Sequence, residues 1–152
     1  MPDSPTSDSS EVVNISLLVN GKKINDTVNI IHIHVAKAVN RIATATITML
    51  DGDMPESTFP ISDTDDFSPG NKIEISAGYG SETEKIFVGI IIKHGINISL
   101  NNESTLLIEC KDEAVKMTIG RKNANFIQES IKDRDIFSTI LSAYPEIGRA
   151  HV

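Results

Sequence analysis

Apolar and polar residues alternate along most of the chain after residue 12, which is the period of β-strands with one buried face. The first such segment, residues 12–25, contains Asn20-Gly21, the dipeptide that most favours a type I′ turn, so we expect a hairpin there. In segments 31–35 and 41–50, isoleucine, valine, alanine or methionine alternates with histidine or threonine. Further strands are expected at 73–79, 85–99 and 104–110. The pattern predicts a β-meander.

The segment 85–92 is apolar on both of its faces, with Ile86, Val88, Ile90 and Ile92 opposite Phe87 and Ile91. A strand of this kind is covered on both sides, either by its own chain or by a partner. We therefore expect Phe87, Ile91 or their neighbours to contribute to a subunit or tube interface. Gly89, in the middle of this strand, indicates a bend of the kind that closes a barrel.

The period changes near the end of the chain, where Ile136, Phe137, Ile140 and Leu141 follow helical spacing. Asp133 is the expected N-cap of this helix, and Pro145 is expected to stop it. The predicted fold is mainly β, a small antiparallel β-barrel with a C-terminal α-helix. We expect a disordered tail over 1–11, one domain over 12–145, and an irregular or truncated end over 146–152.

One long segment interrupts the strands. Residues 51–70 contain six acidic residues, three prolines and no basic residue. This composition is typical of a surface loop with fixed turns, and loops of this length in compact domains are usually functional or disordered.

Composition narrows the class of protein. The 152 residues carry a net charge of -7, and 23 Ile and 9 Val against 7 Leu favour a sheet over a helix bundle. The acidity argues against nucleic acid or an anionic membrane as the main partner. The lone cysteine and the absence of a signal-peptide pattern or an apolar run of spanning length predict synthesis in the cytoplasm and no stable membrane insertion.

Two groups of residues could bind a metal. His32 and His34 share a strand face, which is acceptable zinc geometry, but spacing supplies no third or fourth ligand, and we interpret them as an outward polar face. Five aspartates lie in the acidic loop without the spacing of a calcium-binding loop, and we interpret them as solvated; they are Asp51, Asp53, Asp63, Asp65 and Asp66. No metal or cofactor is predicted.

No catalytic motif is present. Cys110 shares its alternating face with Leu106 and Ile108, which predicts a buried thiol rather than a nucleophile. The nucleophile-elbow, phosphate-loop and dinucleotide glycine patterns are missing. A hydrolase using the loop carboxylates is a minor alternative. The prediction is that the chain is not an enzyme.

Three ordered stretches resemble a known family: KAVNRIATATITMLDGD (37–53), FPISDTDDFSPGNKIEISAGYGSETEKIFVGIIIKHGI (59–96) and LLIECKDEAVKMTIGRKN (106–123). They are similar to the amino-terminal region of VgrG, or Rhs-element Vgr, spike proteins of type VI secretion and related contractile injection systems. The resemblance covers residues 12–145. It implies a phage tail-hub-like domain that helps to build a homotrimeric ring.

In that family the ring caps an inner tube of stacked Hcp-like hexamers, contacts baseplate proteins, can carry effectors and holds a membrane-piercing needle. The resemblance therefore implies a structural hub or spike component, made in the cytoplasm and exported by the apparatus.

Residues in the stretches that resemble the family have expected structural roles. Asn40 and Arg41 begin a strand, with Arg41 forming a fixed polar bridge, and Phe67 anchors the following loop. Turns are expected at two places, namely Asp51-Gly52-Asp53 and Pro69-Gly70. A mixed-charge stretch is suited to subunit or tube contacts or, equally, to a solvated helical turn; it comprises Asp112, Glu113, Lys116, Arg121 and Lys122.

The chain departs from the family in length. Family members continue through a second hub barrel, a small oligonucleotide-fold-like domain and a β-helix, so we expect a fragment, a truncated reading frame or a deliberately shortened protein. A free-standing β-barrel that binds protein or carbohydrate is the alternative function.

Overall fold

A computed structural model describes residues 13–25, 27–52, 58–79, 82–99, 103–127 and 131–145 of the chain. The predicted tail over 1–11, the predicted end over 146–152 and Asp53 lie outside the described residues. The chain divides into two compact units, residues 1–112 and 113–152, so the predicted domain 12–145 includes parts of both.

The first unit is one antiparallel sheet of seven strands in the order β2-β1-β5-β6-β7-β4-β3. The strands are β1 (Val13–Val19), β2 (Lys22–Lys23), β3 (Ile30–Ala36), β4 (Thr44–Leu50), β5 (Lys72–Tyr79), β6 (Glu82–Ile98) and β7 (Ser104–Lys111). The predicted mainly β class with a C-terminal helix is confirmed. The sheet is open within the described residues, because β2 and β3 stand at opposite ends of the order, so the closed barrel is not formed.

The predicted hairpin is confirmed at the start of the sheet. Asn20 and Gly21 have φ values of +50° and +79°, the two positive values that a type I′ turn requires. The turn also contacts β5, because Lys72 N–H donates to Asn20 Oδ1 at 3.0 Å and Asn20 N–H donates to the Lys72 carbonyl oxygen at 2.9 Å.

One face of the sheet carries the core. Five strands of the same sheet, together with Phe67 from the loop before β5, supply buried side chains. They are Leu17, Val19, Ala45, Ile47, Met49, Phe67, Ile73, Ile75, Phe87, Ile91, Leu106, Ile108 and Cys110. Since a single sheet buries all of them on one face, the sheet must curl around that face. The predicted alternation in β4 and the predicted burial of Cys110 are both confirmed.

The long strand β6 joins the two halves of the sheet. Its residues Glu82 to Ile90 pair with β5, and its residues Ile90 to Ile98 pair with β7. Gly89 lies at the point of transfer, where a side chain would overlap the main-chain carbonyl of Lys111 and the ring of Phe87. Glycine is therefore required where β6 passes close to the end of β7, whereas the predicted bend at Gly89 stays a prediction.

The second unit contains a 3₁₀ helix, Glu113–Thr118, and α1, Asp133–Ser142. Lys132, rather than Asp133, is the N-cap residue, and its backbone N–H donates to Asp135 Oδ2 at 3.2 Å. Asp133 instead lies in the first turn, where its charge favours the helix dipole. The helix ends three residues before Pro145, as predicted. None of its residues is buried.

Candidate assembly surface

The core-facing side of the sheet continues beyond the core at one corner. There, Val13 pairs with Tyr79 and Ile15 pairs with Ala77, in the same register that pairs the buried Leu17 with Ile75. Residues directly opposite each other in an antiparallel pair share a face. We call this corner the apolar arm and define it as residues 13–16, 76–79 and 82–85.

The apolar side chains of the apolar arm are exposed. The side chains of Val13, Ile15 and Tyr79 are 53%, 46% and 63% exposed, whereas Leu17 and Ile75, next along the same strands, are 4% and 0% exposed. Glu84 pairs with Ala77 on the third strand of the arm, which places an acidic residue at the edge of this surface. A contiguous apolar surface with an acidic edge is typical of a protein-binding site.

The arm begins at an irregularity in β6. Ile75 pairs with Phe87, but the next residue, Ser76, pairs with Lys85, so Ile86 is an extra residue in the ladder. A bulge of this kind increases the local twist and turns the strand end away from the rest of the sheet. On the opposite face of the arm, Lys85 forms an ion pair with Glu74. That face is therefore polar, and the exposed apolar residues lie on the other face.

Asp51 fixes the loop that follows β4. Its carboxylate is 4% exposed and accepts three backbone hydrogen bonds, from Gly52 at 2.9 Å, Ile61 at 3.0 Å and Ser62 at 2.8 Å. Burial raises the pKa of this carboxyl, but the hydrogen bonds from Ser62, Ile61 and Gly52 outweigh burial and hold the pKa below its ordinary value. Asp51 is therefore a structural anchor.

Gly52 and Phe67 complete this loop. Gly52 has a φ of +107°, and a Cβ atom at its position would lie 3.0 Å from Ser104 Cβ, which supports the predicted turn. Phe67 lies in a 3₁₀ helix, Asp65–Phe67, and is 2% exposed, which confirms the predicted anchor. Gly70 has a φ of +100° and donates its N–H to the Ile91 carbonyl oxygen at 2.8 Å, which confirms the turn before β5.

Two expected interface residues require correction. Phe87 and Ile91 are 2% and 1% exposed because they face the core, so neither is available to a partner of the folded chain. The opposite face of β6 is the accessible one, and there Val88 is 38% exposed. The sequence could not show which of two apolar faces is the inner one, since both have the same period.

The predicted strand start at Asn40 and Arg41 is also wrong, whereas the predicted bridge of Arg41 stays a prediction. Asn40 has a φ of +60° and lies in a turn in which Arg41 N–H donates to the Ala38 carbonyl oxygen at 3.2 Å. The strand begins later, at Thr44. Within the described part of the chain the exposed Arg41 side chain has no hydrogen-bond or ion-pair partner.

The mixed-charge stretch is divided between the two units. Asp112 closes the first unit, where its N–H donates to the Ala43 carbonyl oxygen at 2.9 Å, while the other four residues belong to the second unit. Glu113 and Lys116 lie in the 3₁₀ helix. Lys122 Nζ lies 4.7 Å from the centre of the Tyr144 ring, a cation–π contact within the second unit.

The histidines of β3 lie as predicted on one exposed face, with ring centres 6.3 Å apart. Across the described ranges no group of three or more His, Cys, Asp or Glu residues is placed to hold a metal ion. The helices in those ranges are also too short or too polar to cross a membrane.

The sequence did not reveal the apolar arm. Val13, Ile15 and Tyr79 have the alternation of core positions, and the pattern does not show where the core ends along a strand. The only local signal is Gly78 beside Tyr79, a composition typical of a strand end.

Comparison with known proteins gives three results. A search of curated proteins finds no match. The 43 kDa tail protein of prophage MuSo2 from Shewanella oneidensis, known from a crystal structure, is similar with a TM-score of 0.43 and 15% identity. The similar region covers 72% of this chain and 30% of the tail protein, so the chain spans less than a third of that protein's length.

The third result concerns a family. The family model of the Alg8 N-terminal domain matches residues 9–148, which is nearly the whole chain and includes both compact units in large part. The chain therefore belongs to the Alg8 N-terminal domain family.

Proposed function

We propose that this chain is a structural assembly domain, acting as a hub or spike component of a contractile injection apparatus. In this role it links the inner tube to the needle and performs no catalysis. It is synthesised in the cytoplasm, forms a homotrimer in the full-length context of the family it resembles, and leaves the cell with the apparatus.

The observation that carries the assembly role is the apolar arm. Its three exposed apolar side chains lie on the same face as the core, on two strands whose core-facing residues are buried a few positions away. Exposing an apolar surface to water costs free energy, roughly 25 cal/mol for each Å² of apolar area. A partner that covers the arm recovers this free energy, and a domain that works only as part of an assembly can keep it exposed until then.

The identity of the apparatus is supported by the three ordered sequence stretches. Several of their distinctive residues have structural roles in the first unit, since Asp51 anchors a loop, Phe67 fills the core and Gly89 permits the close approach of β6 to the end of β7. These residues explain why the stretches are needed for the fold. The proposal that the inner tube and the needle are the partners is based on the sequence resemblance itself.

The test is co-sedimentation of the 152-residue chain with assembled inner-tube rings from the same genome. Val13→Ser removes an apolar side chain from the arm, and Val39→Ser is the matched control, because Val39 is 89% exposed in a turn outside the arm. We expect the wild type and Val39→Ser to bind the rings equally and Val13→Ser to bind at least tenfold more weakly.

A monomer that folds but does not bind the rings would overturn the tube-linking role. Equal binding by both variants would overturn the role of the arm. Binding to a glycan array that survives high salt, with no binding to the rings, would favour the free-standing binding module instead. Negative-stain microscopy of the complete gene product is expected to show trimeric spikes.

A further inference from the structure

The two histidines of β3 stand on an unobstructed part of the sheet. β3 is the last strand in the sheet order and pairs only with β4 within the described residues. His32 and His34 pair with Thr48 and Thr46, which have short side chains. Both imidazoles are exposed and stack with an angle of 10° between their planes.

The imidazoles of His32 and His34 contact each other and form no hydrogen bond or ion pair with another described residue. The nearest acidic residue in the same cross-strand row as His34 is Glu109, and its carboxylate is engaged by Lys93 at 2.9 Å. Within the described residues, the imidazole nitrogens are therefore open to a ligand.

We propose that His32 and His34 form a chelating site for a borderline divalent transition metal such as Zn²⁺, Ni²⁺ or Cu²⁺. Imidazole nitrogen is a preferred ligand of these ions. Water completes the coordination, since the chain itself contributes two ligands.

Chelation requires the two parallel rings to rotate and approach each other. With Zn–N bonds of 2.0–2.1 Å, two imidazoles bound tetrahedrally to one ion have ring centres about 5 Å apart. The rings of His32 and His34 are 6.3 Å apart. Because both side chains are exposed, rotation about their side-chain bonds can bring them together without moving the core.

The test uses the full chain without an affinity tag. Zn²⁺ affinity is measured by calorimetry, and Cu²⁺ is used as the probe for electron paramagnetic resonance, which counts the coordinated nitrogens. We expect two nitrogens for the wild type and one for His32→Gln or His34→Gln. Each single variant should bind Zn²⁺ at least tenfold more weakly, and the double variant should lose binding.

His94→Gln is the matched control, because His94 lies on β6 and pairs with Ile108, away from β3. This variant should bind the metals as the wild type does. All substitutions at 32 and 34 are on an exposed face, and circular dichroism should show an unchanged fold. Equal affinity of the wild type and the double variant would overturn the site, as would half-saturation of the wild type only at millimolar Zn²⁺.

Discussion

Gly89 and Lys111 approach so closely that the main-chain carbonyl of Lys111 occupies the space that a side chain at Gly89 would need. The contact lies where β6 leaves β5 and begins to pair with β7. The backbone on both sides is held by strand pairing, so neither residue can move aside easily.

Substitution of Gly89 by alanine should therefore destabilise the first unit strongly. Overpacking of a core costs about 1–3 kcal/mol and sometimes more, and we expect a loss near the upper end, about 3 kcal/mol, in the free energy of unfolding measured by urea denaturation. Gly95→Ala is the control. Gly95 lies in the same strand as Gly89, but a Cβ atom at Gly95 would meet nothing within 4 Å. Equal effects of the two substitutions would contradict the steric explanation.

Asp51→Asn should weaken the anchor of the loop after β4. An amide group keeps one acceptor oxygen but places a donor against a backbone N–H group, so at least one of the three hydrogen bonds is lost. Hydrogen bonds to a charged group contribute about 1.5–3 kcal/mol, and we expect a loss of about 2 kcal/mol in unfolding free energy. Asp66→Asn, at an exposed position in the same loop, should change stability by less than about 0.5 kcal/mol.

The same carboxyl predicts a pH dependence. Because hydrogen bonding lowers the folded-state pKa of Asp51 below its ordinary 3.8, its contribution to stability is complete above that value. It is lost as the pH falls from 3.8 through the folded-state pKa. The stability difference between wild type and Asp51→Asn, measured by denaturation from pH 7 down to pH 3, should be constant near neutrality and shrink below about pH 4. A difference that grows on acidification would contradict the assignment.

Cys110 should be unreactive in the folded chain. Burial raises the pKa of its thiol to about 12, and its side chain is 1% exposed. Since the thiolate is the reactive form, a disulfide reagent at pH 8 should react with the folded protein at least 100-fold more slowly than with protein unfolded in guanidinium. Rapid stoichiometric reaction of the folded chain would show that this part of the core opens readily.

The sequence predicts the strands well because each strand has one buried face and the alternation is local. The alternation of threonine with apolar residues over 44–50 defines β4 and its inner face without further information. The helix is equally local, although its N-cap is one residue earlier than expected.

Features that depend on distant residues could not be predicted in this way. Asp51 stood out as a strand end and as a possible calcium ligand, but two of its three hydrogen-bond partners are ten and eleven residues away, across a proline-containing loop. The inner face of β6 depends on how that strand pairs with β5 and β7. Whether the sheet closes into a barrel depends on whether its two end strands pair with each other, and no local pattern encodes that pairing.

The 17 residues of β6 determine how the first unit can come apart. Within the described residues, β2, β1 and β5 form one group of strands and β7, β4 and β3 form another, and β6 is the member of the sheet that hydrogen-bonds to both. Removal of β6 would leave the two groups of strands without a shared ladder, so that only their side chains in the common core would still join them. The sheet pairing between the two groups runs through one strand.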